Sequence, residues 1–175
     1  MSREIVRQWL LPPKARTDPK KNTLYLYGQP STGKSAFAHA LTRIFDFRCI
    51  VGSGAKNDFA FCALIDGDPD IYMAEELLLW PECVDQTKLL LEGSSHCTTN
   101  VKHKNFQSVV PPRPVFVSSN HLFWNNLPAH GPAFVARCHM INVVTPMDEM
   151  LSAFLYDNDS CDEDFLIELL TGIEQ

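Results

Sequence analysis

The sequence predicts an α/β domain built on a mostly parallel sheet, and three observations carry that expectation. Short runs of β-forming residues recur along the 175-residue chain, separated by stretches with helical spacing. One such run, Thr23 to Tyr27, passes into a loop bounded by Gly28 and Gly33 and then into a helical pattern. Alternation of strand and helix requires crossover connections, and crossovers give parallel pairing.

The elements follow in order. Ile5, Val6, Trp9 and Leu10 have helical spacing, so the chain opens with a short amphipathic helix that Pro12 and Pro13 end. Lys14 to Asn22 is polar and reads as a linker. After the strand Thr23 to Tyr27 and the loop, a helix is expected from Lys34 to Phe45, with Phe37, Ala38, Leu41 and Phe45 on one side. Arg48 to Val51 is a second strand, Gly52 to Asp58 a loop, and Phe59 to Leu64 a helical turn. Ile71 to Ala74 is a third strand, ending at Glu75 and Glu76. Pro81 to Leu91 is helical, with proline in the first turn and Gly93 past the end. Cys97 to Val110 alternates around a polar centre, Lys102 to Asn105, as a β-hairpin does. Val115 to Ser118 and His139 to Val144 are the last strands, and Phe134 to Arg137 leads into the second of them. Met147 to Tyr156 and Asp164 to Leu170 are helical stretches joined by an acidic loop. The expected organisation is a helix and linker over 1–22, a core over 23–145 and a helical acidic segment over 146–175.

Charge and cysteine content narrow the function. The formal net charge is -6, which argues against coating nucleic acid with the whole surface and leaves room for a local basic site. No two of the six cysteines are spaced as C-x-x-C, so a zinc ribbon or dithiol redox motif is not supported. The doublets His96-Cys97 and Cys138-His139 read as small buried residues rather than half of a metal site. No apolar run is long enough to span a bilayer, and the scattered cysteines suit a reducing compartment.

Gly28-Gln29-Pro30-Ser31-Thr32-Gly33-Lys34-Ser35 fits G-x-x-x-x-G-K-[ST]. Successive backbone N–H groups in such a loop wrap a phosphate, and the following helix points its N-terminus at the anion. Lys34 reaches the β- and γ-phosphates of ATP, and the Ser35 hydroxyl completes the shell of Mg²⁺. Hydrolysis also needs a carboxylate near the metal and a base for water. Glu75 and Glu76 supply both at a strand tip, Glu75 for Mg²⁺ and Glu76 for the attacking water. Asn120, after the strand Val115 to Ser118, is placed to hydrogen-bond the γ-phosphate or the water, although asparagine also ends strands for local reasons. Nothing local distinguishes Arg137 from an ordinary salt-bridge arginine.

This order of elements resembles the superfamily 3 helicase core of small DNA viruses, the parvovirus replication proteins above all and papillomavirus replicative helicases more distantly. Lys20-Lys21-Asn22 before the first strand, the loop Gly28 to Ser35 and the glutamate pair Glu75-Glu76 carry the likeness, over residues 5 to 145. Gln29 stands where proline is common, and the strand ends Ser-Ser-Asn rather than Thr-Ser-Asn. The resemblance implies an AAA+-like NTPase with a mostly parallel five-stranded sheet flanked by helices and a β-hairpin insertion. It also implies that Pro132 to Arg137 holds the arginine finger, with Arg137 reaching the ATP of the next subunit. Val101-Lys102-His103-Lys104 lies where such proteins carry a DNA-gripping loop, so Lys102, His103 and Lys104 are the expected nucleic-acid contacts. The expected partners are single-stranded DNA (or RNA) and further copies in a hexameric ring, in the host nucleus if the role is viral DNA replication and otherwise within the cell. Parvovirus replication proteins also carry a nuclease domain and a helical oligomerisation region. The chain therefore corresponds to an excised fragment, a short gene product or a relict relative. A viral RNA helicase or circovirus-like ATPase and a non-motor nucleotide-binding module remain as alternatives; a small-molecule kinase would need an arginine-rich lid, and the sequence has no arginine cluster.

Overall fold

The computed structural model describes residues 2–50, 61–101 and 106–144. The N-terminal helix α1 runs Ser2–Leu10, followed by strand β1 (Thr23–Gly28), helix α2 (Lys34–Ile44), strand β2 (Phe47–Cys49) and strand β3 (Ile71–Glu75). Helix α3 (Val84–Leu91), strands β4 (Thr98–Asn100), β5 (Gln107–Val109) and β6 (Val115–Ser119), helix α4 (Gly131–Val135) and strand β7 (Cys138–Val143) complete the order. The expected helices after residue 146 and the loop 52–58 lie outside the described residues.

Five strands pair in parallel in the order β2-β3-β6-β1-β7, as the fold class predicts. The β4–β5 hairpin stands apart as a separate antiparallel pair. The innermost strands are buried on both faces and read as continuous apolar runs, LYL in β1 and VFV in β6. Their side chains alternate between two cores, as the pleat requires. Leu24, Leu26 and Phe116 pack with Val6 and Trp9 of α1 and Phe37 and Leu41 of α2. Tyr25, Val115 and Val117 face the other way, onto Leu90 and Leu91 of α3, Phe123, Trp124 and Phe134.

Three local expectations need correction. Helix α2 ends at Ile44, because Phe45 turns to an extended conformation (φ -119°, ψ 139°). Strand β2 is Phe47–Cys49, starting one residue before the expected Arg48 because its register is set by pairing Phe47 with Ile71, and Val51 lies outside the described residues. The polar stretch after α1 is not a passive linker. Arg16 is only 7 % exposed and donates to the carbonyls of Trp9 (3.1 Å) and Leu11 (2.7 Å) and to Asn22 Oδ1 (2.6 Å). Those carbonyls belong to the end of α1, where a helix leaves acceptors without internal partners. Trp9 Nε1 donates to Val115 O (3.0 Å), so α1 is bonded to a central strand as well as packed on it. Helix α4, short and opened by Pro132, was not anticipated.

Candidate functional site

All the strands of a parallel sheet run one way, so one edge of the sheet gathers every carboxyl end. Ligands of open α/β folds bind there. β1 ends at Gly28, β3 at Glu75 and β6 at Ser119, and these three strands are neighbours. The sheet therefore brings the glycine loop, Glu75, Glu76 and Asn120 together.

The loop's shape depends on its glycines. Gly28 has φ 147°, and a Cβ there would lie 2.1 Å from Val143 O of β7. Gly33, at the start of α2, has φ 84°, which a side chain disfavours. Between them Ser31 takes φ 61°, a left-handed conformation that costs an L-residue ~1–2 kcal/mol. Thr32 Oγ1 donates to Gln29 O (2.8 Å) across the turn. Lys34 is 6 % exposed, and its ammonium donates to Gly28 O (3.0 Å), Gln29 O (2.6 Å) and Thr32 Oγ1 (3.2 Å). Burial pushes its pKa down, and the negative charge of Glu76 opposes that shift, so the lysine and the acid share one electrostatic neighbourhood. The first N–H groups of α2 have no acceptor within the helix and open onto the same loop.

Ser35, in the first turn of α2, and Glu75, at the tip of β3, line one cleft of about 420 Å³ together with His39, Met73 and Ile50. A hydroxyl and a carboxylate are hard oxygen donors of the kind Mg²⁺ takes alongside water and phosphate, so the pair fits that ion. Glu76 is held differently. Its φ is 50°, and its backbone N–H donates to Ser118 O (2.8 Å). Its Oε2 accepts from Ser119 Oγ and its Oε1 from the backbone N–H of Asn120, each at 3.0 Å. Asn120 thus reaches the acid through its main chain. Ser119 was not among the expected site residues; the signal was two consecutive serines in an otherwise apolar, fully buried strand.

Arg137, expected to reach the ATP of the next subunit, has partners within its own chain. Its Nη2 pairs with Glu92 Oε2 at 2.9 Å, Nε donates to Lys88 O (3.1 Å) and Nη1 to Ala133 O (2.7 Å). Every nitrogen of the guanidinium is engaged within its own chain, capping the last turn of α3. Arg137 also precedes β7, whose Cys138 pairs with Thr23. It therefore sits at the amino edge of the sheet, opposite the glycine loop. Lys102, His103 and Lys104 lie outside the described residues; the strands that bracket them, β4 and β5, form the expected hairpin. Among the described residues no group of His, Cys, Asp or Glu is arranged to hold a metal on its own, and no helix is long and apolar enough to cross a membrane.

Fold and site together define an α/β domain of the phosphate-loop NTPase class. The family model of parvovirus non-structural protein NS1 matches residues 4–124, and the chain belongs to that family. The initiator protein NS1 of bovine parvovirus 1 is 31 % identical over 118 residues, 66 % of this chain and 13 % of that protein. Replication protein E1 of human papillomavirus type 1 is 28 % identical over 102 residues, 58 % of this chain and 16 % of that one. The chain thus spans a small part of the length of these relatives. A solved JCV helicase structure shares the fold, with TM-score 0.53 at 16 % identity, over 97 % of this chain and 53 % of the other.

Proposed function

We propose that this domain binds ATP with Mg²⁺, hydrolyses it, and couples the hydrolysis to movement along single-stranded DNA as the motor of a viral replication protein. The observation that carries this is the meeting, at one sheet edge, of the Lys34 loop, the Ser35–Glu75 cleft and the braced Glu76. The loop N–H groups and the α2 N-terminus bind the phosphates, and Lys34 exchanges loop carbonyls for phosphate oxygens. Ser35 and Glu75 would hold Mg²⁺, which supplies charge neutralisation for the β- and γ-phosphates when bound. Glu76 orients the attacking water and accepts its proton, and the burial of Lys34 keeps its charge poorly screened and so more effective. The β4–β5 hairpin carries Lys102, His103 and Lys104 to the DNA phosphates, contacts that are independent of base sequence. Copies of the chain assemble into a ring, which the family relationship supports. A role for Arg137 across a subunit interface requires its pair with Glu92 to open first.

The test is ATP turnover per chain as a function of protein concentration, with single-stranded DNA, with single-stranded RNA and with neither. Turnover that rises with concentration and with DNA supports an assembling DNA motor. Stimulation by RNA alone moves the substrate to RNA. Nucleotide binding without turnover under all three conditions rejects the motor and leaves a binding module.

A further inference from the structure

Glu76 raises a mechanical question. It follows the last residue of β3 and has left the extended conformation, with φ 50°. Strand geometry no longer dictates where its carboxylate points, and residues held in such conformations persist where surrounding contacts over-determine them. The contacts here come from the neighbouring strand. We propose that Ser119 is a positioning residue for ATP hydrolysis: its hydroxyl, acting with the Asn120 N–H, sets the plane of the Glu76 carboxylate and ties that plane to the segment that follows β6. This deepens the hydrolase reading above and rests on it.

The two donors approach different oxygens, Ser119 Oγ at Oε2 and Asn120 N at Oε1, both at 3.0 Å. Two bonds to two atoms fix rotation as well as position. Each carboxylate oxygen has a second lone pair, so the acid can still accept a proton from water while held. Ser119 is itself immobilised. It is 3 % exposed, and a buried hydroxyl keeps its partners because losing them leaves an unsatisfied polar atom. Besides donating to Glu76, it accepts from the backbone N–H of His121 (3.2 Å). His121 is pinned in turn: its carbonyl accepts from the Tyr25 hydroxyl at 2.6 Å, and the same hydroxyl accepts from Phe123 N (3.3 Å). Tyr25 stands on β1 two residues before its last strand tyrosine, packed against Phe123 and Trp124. Burial raises its pKa, so the hydroxyl stays protonated and remains a donor. A continuous run of bonds thus joins the strand that launches the phosphate loop to the acid that faces it. Glu75 is built otherwise: it lines a cleft with Ser35, as suits a group that meets a mobile ion.

The experiment is a double-mutant cycle on the full chain, using steady-state turnover and binding of a non-hydrolysable ATP analogue. Ser119→Ala is expected to lower kcat by about 10- to 100-fold, the scale on which a misplaced reacting group loses rate, with KM and analogue affinity within about twofold of wild type. In a Glu76→Gln background the same substitution should change the residual rate by less than about twofold, because there is no longer a base to position. Ser119→Thr, which keeps the hydroxyl, should recover most of the rate. A Ser119→Ala chain that turns over at the wild-type rate, or one that loses the same factor in both backgrounds, overturns the assignment. If Ser119→Ala weakens analogue binding in parallel with kcat, the residue supports the fold only and the assignment is wrong. A wild-type chain that binds the analogue but hydrolyses nothing ends the hydrolase reading and this inference with it; wild-type turnover with an indifferent Ser119 ends this inference alone.

Discussion

The two ends of the parallel sheet use the same kinds of residue for opposite purposes. At the amino end, Arg16 and Arg137 are consumed by internal partners: Arg16 by the carbonyls of Trp9 and Leu11 and by Asn22, Arg137 by Glu92 and by the carbonyls of Lys88 and Ala133. At the carboxyl end, Lys34 is also ringed by oxygens, but those oxygens lie on the loop that would wrap a phosphate. Both non-glycine residues with positive φ among the described residues, Ser31 and Glu76, are at this end. Strain and lysine-on-loop bonding mark the end that changes partners; saturated guanidinium groups mark the end that holds the elements together. A basic residue is therefore assigned by what its neighbours leave available, not by its charge.

The comparison breaks most sharply at Lys34. Lys34→Ala should reduce ATP turnover by ~10³-fold or more while leaving the thermal melt near wild type, because what it loses is charge stabilisation of the reacting phosphates. Wild-type turnover in this variant would remove the phosphate-loop assignment. Trp9→Ala acts on the other end. It deletes a fully buried ring and its bond to Val115 O, and denaturant unfolding should report a loss of ~3–5 kcal/mol. Nucleotide affinity, measured where the variant is still folded, should be unchanged.

Arg137→Ala comes next and sharpens the contrast. It leaves the half-buried Glu92 without its cation and the last turn of α3 without its cap, so a loss of about 1–3 kcal/mol is expected even at concentrations where the chain is monomeric. Arg137→Lys should not restore it, since one ammonium cannot span Glu92, Lys88 O and Ala133 O. Full stability in Arg137→Ala, with turnover lost only in the assembled form, would return the residue to an interface role.

The smallest effect is expected at His139 on β7. Burial lowers its pKa below the ordinary 6.5, and the positive charges of Lys21 and Arg16 lower it further. The folded chain thus binds fewer protons here than the unfolded chain, so stability rises with pH through this region. The contribution is complete above the unfolded value and falls away as pH drops from about 6.5 toward the folded value. His139→Gln should flatten the acid limb of a melting-temperature profile as pH falls below about 6.5; an unchanged slope would place the titrating group elsewhere.

Much of this was legible in the chain. The apolar runs of β1, β3 and β6 announce strands buried on both faces, and a glycine loop between strand and helix announces a phosphate site. Glu75 and Glu76 were legible because strand ends in a parallel sheet meet at one edge. Less legible were residues whose meaning depends on distant partners. Arg16 and Asn22 lie in a polar stretch that looks like a linker until Trp9 O and Leu11 O are placed beside the guanidinium. Arg137 gains its meaning from Glu92 on another element. Ser119 carries a faint signal, a hydroxyl where the pleat expects a hydrocarbon, but its target was set by the left-handed turn at Glu76, which no residue type there foretells.

The strand order has a consequence for how the protein is made. β1, which carries the phosphate loop, is flanked in the sheet by β6 and β7, the last strands of the described chain to be synthesised. Ribosomes add ~5–20 residues per second, so for several seconds a nascent chain holds the loop residues without either neighbour of their strand. Gly28 meets the carbonyl it fits beneath only when Val143 has emerged, and Glu76 meets its brace only with Ser119. The site is completed only once β7 has been made, so a polypeptide cut short within the sheet carries the motif and lacks the machine.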